Sequence, residues 1–373
     1  MTRQGLDVAV VGGGAFGAKA AIDLARSGHR VDLFERREDL MLAASGINQY
    51  RLHRGYHYPR SLATAIECRD SELTFRKAFA NAVVDSAEHF YAVAAHDSRT
   101  SADAYLRFCD RAGLEYRRSD LDLLRPGSVD LVVRVCESIF DPAVLRLLLR
   151  KQLQQAGVKV RLGMEATRKV LSPYELVIVA AYSEINSLGA VGPVPEMYQF
   201  EVCEKPVVRL PAQYARRSVV VMDGPFMCVD PLAGTDLFVL GNVVHAIHHA
   251  NVGTSPEIPG SFRRLLNRGI VTSPAVTNID EFIRSGSEFF VDFDKAEHVG
   301  SMFTVRAVLP GVHRTDARPT IIRRATDRLI TVFSGKIDTC VRSAQQITHM
   351  ADEMAYGRPA NDPEEPLRRR RAG

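Results

Sequence analysis

The sequence predicts an α/β protein, α+β overall, in which a discontinuous Rossmann-type dinucleotide-binding domain carries an inserted domain with a mixed or antiparallel sheet. Three observations lead there. A glycine-rich turn joins two short apolar runs at the start of the chain, strand and helix patterns of the same kind resume only after a long helical interruption, and a last strand, turn and helix close the pattern near residue 354.

Asp7-Val8-Ala9-Val10-Val11 is an apolar run suited to a parallel strand covered on both faces. Gly12-Gly13-Gly14-Ala15-Phe16-Gly17 follows, and Ala15 to Ser27 places Ala18, Ala21, Ile22 and Leu24 at helical spacing with Gly28 as a left-handed stop. Val31-Asp32-Leu33-Phe34 is the second strand and runs into Glu35. In this β-α-β context the glycines form a dinucleotide fingerprint rather than a chance cluster. Gly12 permits the tight turn, Gly14 the approach of backbone to a pyrophosphate, and Gly17 close packing of helix on sheet. Ala15 and Phe16 open the helix, whose free N–H groups favour phosphate. Glu35 is placed to accept from ribose hydroxyls and to repel a 2′-phosphate, an effect softened by Arg36 and Arg37.

After Arg60 the chain reads as helical over 62–80 and 97–112, and strand signals return near 130–135. Asp141 caps a helix with Pro142 at its first position, and Val144, Leu145, Leu148, Leu149 and Leu153 form its apolar face, with Gly157 as its stop. Strands follow at 158–160 and 176–181, so the nucleotide domain resumes there. From 198 to 300 alternation in Phe200-Glu201-Val202, 218–222 and 237–240 suggests an antiparallel sheet. Leu329 to Phe333 is a strand, Ser334-Gly335-Lys336 a turn, and Ile337 to Met354 an amphipathic helix. The expected division is 1–75, 136–192 and 301–356 for the nucleotide domain, 76–135 and 193–300 for the substrate domain, and a disordered tail over 357–373.

Composition narrows the class. The 373 residues exceed one ordinary core, and 46% hydrophobic with 25% charged residues describe a soluble globular chain. The net charge of +4 is modest, and the run Arg368 to Arg371 reads as a solvated tail rather than a contact for nucleic acid or an anionic membrane. Six scattered cysteines without a C-x-x-C pair argue for reduced thiols and against a disulfide scaffold or zinc site. No apolar run approaches the roughly 20 residues that span a bilayer. A first strand beginning near residue 7 leaves no room for a signal peptide, so a cytoplasmic protein is expected, its oligomeric state open.

The segment from Ser45 to Ser61 is dense in titratable and aromatic groups: His53 and His57 stand among Arg51, Arg54 and Arg60, with Tyr50, Tyr56 and Tyr58 interleaved. Such a segment suits base catalysis or the anchoring of an anion. The alternative is a histidine that packs in the core or bonds the backbone. His245, His248 and His249 could be read as metal ligands, but no carboxylate or cysteine stands close by in sequence, and no metal is expected.

With these residues the chain resembles the D-amino-acid oxidase superfamily of FAD-dependent oxidoreductases, which includes glycine and sarcosine oxidases and the glycerol-3-phosphate and 2-hydroxyglutarate dehydrogenases. The resemblance extends to about residue 355 and implies FAD as cofactor, held through Gly12, Gly14, Gly17 and Glu35. It further implies that Ser45, Gly46 and Asn48 lie against the pyrophosphate and flavin, and that Val160 meets the adenine through its backbone. Gly46, Asn48, His53, Gly55 and Tyr58 are spaced as in the hydroxyacid-oxidising branch. Thr315-Asp316-x-Arg318-Pro319 is instead similar to an amine-oxidase motif, with Arg306 near the family's substrate-carboxylate arginine. Tyr182 replaces the glycine usual after Ala180-Ala181.

A flavin that accepts a hydride needs negative charge accommodated at its pyrimidine edge. Gly335, Lys336 and Ile337, between the last strand and helix, would offer N–H groups and a full charge there. Lys336 as a solvated helix-start lysine is the alternative. His53 is the first choice for a base, His57 the second, and covalent attachment of flavin through a histidine stays open. The expected activity is oxidation of a CH-NH or CH-OH group of a small polar, anionic molecule, with oxygen or another electron acceptor. A flavin monooxygenase and a non-catalytic dinucleotide-binding protein are the alternatives.

Overall fold

The computed structural model describes residues 5–188, 195–224, 227–311 and 317–357. Pro225, Phe226, Thr315, Asp316 and the expected tail from 358 onward lie outside the described residues.

The chain begins with β1 (Asp7–Val11), α1 (Ala15–Arg26), β2 (Arg30–Phe34), β3 (Arg51–Leu52), α2 (Leu62–Ala78), β4 (Val83–Val84), β5 (Glu88–Ala94) and α3 (Ala102–Ala112). It continues through β6 (Tyr116–Arg118), β7 (Val129–Val135), β8 (Ser138–Phe140), α4 (Pro142–Gln155), β9 (Lys159–Arg161), α5 (Arg168–Leu171) and β10 (Leu176–Val179). Then come β11 (Tyr198–Arg209), β12 (Arg217–Met222), β13 (Met227–Pro231), β14 (Phe238–Gly241), β15 (Ile247–Gly253), α6 (Ile279–Phe289) and β16 (Glu297–Val308). β17 (Ile321–Thr326), β18 (Leu329–Phe333) and α7 (Cys340–Tyr356) complete it.

A six-stranded sheet in the order β17-β18-β10-β1-β2-β9 gathers strands from the beginning, middle and end of the sequence. All neighbours in it are parallel except β17 and β18. Its inner strands β1, β10 and β18 read as nearly unbroken apolar runs because both faces are covered. Val8, Val10, Leu33, Ile178 and Ile330 join the core beneath α1 and α7, while Ala9, Val177, Val179 and Phe333 meet Phe200, Val202 and Phe303 of the second sheet. That second sheet has nine strands, ordered β15-β11-β14-β13-β12-β5-β7-β6, with β16 also on β11. A small sheet, β3-β8-β4, ties the segment after α1 to the middle of the chain.

Several boundaries differ from the sequence expectation for local reasons. The helix expected from 97 starts at Ala102, because Asp97 adopts φ +56° and Ser101 Oγ caps the helix by accepting from Ala104 N. The last helix is preceded by a 3-10 turn at Ile337–Thr339. β5 gave no alternating signal because its residues from His89 to Ala94 are all buried. β16 crosses the expected boundary at 301 and pairs with β11 through Val308, so residues 301–308 belong to the second sheet.

Candidate active site

At the nucleotide end the geometry is made by backbone. Gly12 adopts φ +108°, and a Cβ there would stand 2.5 Å from the Ala180 carbonyl oxygen. A Cβ on Gly17 would lie 1.9 Å from the Gly12 carbonyl oxygen, so the helix can sit on the turn only as glycine. Gly14 is the N-cap of α1, and Ala15 N donates to Ser45 Oγ at 3.1 Å. Glu35 is drawn onto this turn, its Oε2 accepting from Gly13 N at 2.7 Å and its Oε1 from Arg37 N at 2.9 Å. Gly46 abuts the Met41 carbonyl, and Asn48 Nδ2 donates to Ala44 O at 3.1 Å, bracing the turn between them. Tyr182 takes φ +52°, a conformation that favours the glycine it replaces, and its hydroxyl donates to Ala307 O at 2.9 Å.

A cavity of about 920 Å³ extends from this turn to residues of β11, β12, β13 and β16 in the nine-stranded sheet. Gly12, Gly14, Phe16, Glu35, Arg36, Ser45 and Asn48 line its nucleotide end. Ala181, Gly335, Lys336, Ile337, His53, His57 and Arg306 line it further on. Ala15, Gly17, Gly46 and Val160 are not among its lining residues. Val160 is partly exposed on β9, in register with Leu33 of β2.

The other end of the cavity is made by side chains. Arg51, on β3, is buried and donates to Glu137 Oε2 at 2.6 Å and to Asp230 Oδ1 at 2.7 Å. Tyr91 donates to the same Glu137 oxygen at 2.9 Å, and Ser218 to Asp230 at 2.6 Å. Burial opposes the charge of Glu137, but Arg51 and His53 outweigh it and hold the carboxyl well below the usual range. His53 Nδ1 lies 3.7 Å from Glu137 Oε1, and its ring centroid is 5.3 Å from that of His57. Burial, then the neighbouring His53 and Arg51, pushes His57 well below the ordinary imidazole pKa, so it is neutral near pH 7.

Three further lining cations are paired with carboxylates. Lys336, 3% exposed, donates from Nζ to Glu67 Oε2 at 2.9 Å and lies 5.8 Å from the Tyr58 ring centroid. Burial works against its charge, yet Cys68, Asp338 and Glu67 prevail and raise its pKa. This ion pair, buried at the lysine and partly hydrated at Glu67, replaces the solvated helix-start lysine. Arg306 stands opposite Glu201 across the β11-β16 pair and donates to it at 2.6 Å. Arg60 Nε reaches Asp223 Oδ2 at 3.0 Å.

Sequence reasoning missed Glu137, Asp230, Glu67 and Glu201, whose partners lie far along the chain, and Lys205, which lines the cavity from β11. One signal was available: Gln199, Glu201, Cys203 and Lys205 occupy alternate positions of β11 and all line the cavity. Of the three histidines weighed for metal, His248 Nε2 is 2.7 Å from Glu204 Oε2, a carboxylate distant in sequence. Among the described residues no group of three or more His, Cys, Asp or Glu could hold a metal ion. All six cysteines are free thiols, and among the described residues no helix is long and apolar enough to cross a membrane.

Comparison with known proteins places this geometry. The family model "FAD dependent oxidoreductase" matches residues 7–330. The FAD-dependent monooxygenase FPY4 of Fusarium mangiferae is 26% identical over 92% of this chain and 90% of its own. Glycine oxidase from Geobacillus kaustophilus superposes with a TM-score of 0.70 over 98% of both chains, at 17% identity. L-alpha-glycerophosphate oxidase from Mycoplasma pneumoniae, a structure with FAD bound, gives 0.69 over 96% of this chain and 97% of its own, at 16% identity.

The residues present fit that cofactor. The turn at Gly12 has no room for a Cβ, a carboxylate stands at the end of β2, and one cavity continues from there to titratable side chains. The chain is therefore an enzyme of the FAD-dependent oxidoreductase family, with FAD as its cofactor.

Proposed function

We propose that the protein oxidises a CH-NH or CH-OH carbon of a small polar, anionic substrate. The observation that carries this reading is His53, in the cavity wall with its Nδ1 3.7 Å from the buried Glu137 carboxylate. A carboxylate facing Nδ1 favours the tautomer protonated there and leaves Nε2 with a lone pair. Nε2 then takes the proton of the substrate hydroxyl or amine, and Glu137 stabilises the imidazolium that forms. A base so placed contributes about 10²–10⁴-fold in rate. His57, neutral beside it, adds no competing charge. Arginines and lysines outnumber carboxylates along the cavity wall, which makes it hospitable to an anion.

For the cofactor we assign Gly12, Gly14, Ala15, Phe16 and Gly17 to the pyrophosphate turn, Glu35 and Arg36 to the ribose, and Val160 to the adenine. Ser45, Gly46, Asn48, Ala181, Gly335, Lys336 and Ile337 are assigned to the flavin half. When bound, FAD supplies the acceptor for the hydride leaving the substrate carbon. Domain roles follow the same division: the six-stranded sheet serves the nucleotide and the nine-stranded sheet the substrate.

A monooxygenase is the second reading, favoured by the name of the Fusarium relative. The experiment is anaerobic mixing of the FAD-loaded protein with amino acids, hydroxyacids and amino sugars, followed by the visible flavin band. Bleaching by one of these without NADH or NADPH is expected. Bleaching by a reduced nicotinamide alone would move the assignment to the monooxygenase. Peroxide formed on readmitting air would identify oxygen as the acceptor. Denaturation that releases all the flavin would exclude covalent attachment.

A further inference from the structure

Arg51, Arg60, Arg306 and Lys336 each lie within ion-pair distance of a carboxylate. Lys205 differs from them. It is midway along β11, opposite Met302 of β16, 9% exposed and in the cavity wall. Among the described residues no hydrogen bond engages its ammonium and no carboxylate lies within 4.0 Å of it. The groups that face it are Cys203 on its own strand, Arg306 on β16, and Cys228 and Asp230 on β13. Asp230 is already engaged, its Oδ1 accepting from Arg51 and Ser218. Along β11 the backbone of Lys205 stands four residues, about 13 Å, from that of Glu201, the partner that already engages Arg306. The wall thus presents a neutralised pair at one point and an open charge at another.

An ammonium withdrawn from water without a counter-ion is costly, and an anion entering the cavity removes that cost. A single open ammonium, bordered by two thiols and by Arg306 and Asp230 that are engaged elsewhere, matches a carboxylate. A phosphate, with more charge to neutralise, calls for a cluster of donors. We propose that Lys205 is the docking point for the substrate's carboxylate and sets the preference for a monoanionic substrate, a role that rests on the oxidoreductase reading above.

The test uses the FAD-loaded protein, titrated with acetate and benzoate and with their neutral counterparts acetamide and benzamide. Binding is read from perturbation of the flavin spectrum and from the shift in melting temperature. The wild type is expected to favour a carboxylate over its amide by at least about 30-fold, the low end of what an uncompensated buried charge costs. In Lys205→Met the ratio should collapse toward one, and Lys205→Arg should restore most of it. If the methionine variant does not fold, the pH dependence of the wild-type ratio still decides. Burial, then Arg306, lowers the pKa of Lys205, whereas those of Arg306 and Lys336 are raised, so Lys205 loses its charge first as pH rises. The carboxylate-to-amide ratio should fall accordingly. A ratio that survives Lys205→Met or stays flat to high pH overturns the proposal, as does failure of either carboxylate to bind the wild type. Those results leave the oxidoreductase reading intact, because that reading fails only if no CH-NH or CH-OH compound reduces the wild-type flavin.

Discussion

The two ends of the cavity are built by different means. At the nucleotide end, backbone meets backbone: Gly12 on Ala180, Gly17 on Gly12, Gly46 on Met41. At the end proposed for the substrate, charged side chains meet across long stretches of chain: Arg51 with Glu137 and Asp230, Lys336 with Glu67, Arg306 with Glu201. The first kind of site tolerates no added atom, and the second depends on charges held in pairs. Substitutions at each end can separate the two.

The largest effect is expected at the nucleotide end. Gly17→Ala puts a Cβ against a carbonyl oxygen that cannot swing aside, costing about 3 kcal/mol or more. The purified variant should carry little FAD, as read from its flavin-to-protein ratio. Normal flavin content would mean that α1 can shift without loss of the site.

At the substrate end Glu137→Gln leaves Arg51 with Asp230 as its remaining carboxylate. A loss of about 3–5 kcal/mol is expected in urea unfolding, since one partner of a buried pair is removed. Flavin should be retained if the two ends are as independent as their construction implies.

A smaller effect concerns pH. His89 is 1% exposed, neither ring nitrogen has a hydrogen bond, and burial followed by Arg51 pushes its pKa down to about 3. The unfolded chain binds a proton there near pH 6.5 and the folded chain does not, so stability falls as pH drops below 6.5. His57 acts in the same direction. Asp338, raised to about 6 by burial, opposes them, because its folded form takes up the proton first as pH falls from neutral toward 4. The two histidines outweigh the one carboxyl, and melting temperature should decline from pH 6.5 to 5. His89→Leu should flatten that decline, and an unchanged slope would show that His89 is not the group responsible.

The smallest change in stability is expected for Lys336→Met, within about 1 kcal/mol, because Glu67 remains partly hydrated. Its flavin potential and turnover should nevertheless fall, turnover by roughly tenfold, if the ammonium supports charge on the pyrimidine edge. Unchanged potential and turnover would reduce Lys336 to a structural partner of Glu67.

The same contrast explains what could be read in the sequence. Gly12, Gly14, Gly17 and Glu35 are legible because a turn, a helix start and a strand end impose fixed spacings within one β-α-β unit. The interruption of the nucleotide domain was legible too, since the apolar run at β10 declares a buried parallel strand. The Arg51–Glu137–Asp230 group was not, because its members sit on β3, beside β8 and on β13, and only the folded sheets bring them together. β5 and β16 were missed because burial on both faces removes the alternation that marks a strand. Lys205 was within reach of period-two reading along β11, but a lysine among alternating polar residues ordinarily marks a solvent face. Here that face lines a cavity.

The most direct measurement is the anaerobic rate of flavin reduction by a reducing substrate in wild type and in His53→Gln, with FAD content measured in parallel. Loss of at least about 10²-fold in that rate with full FAD content is expected, the lower range for removing a general base. A variant reduced as fast as the wild type would contradict the assignment of His53, braced by Glu137, as the base.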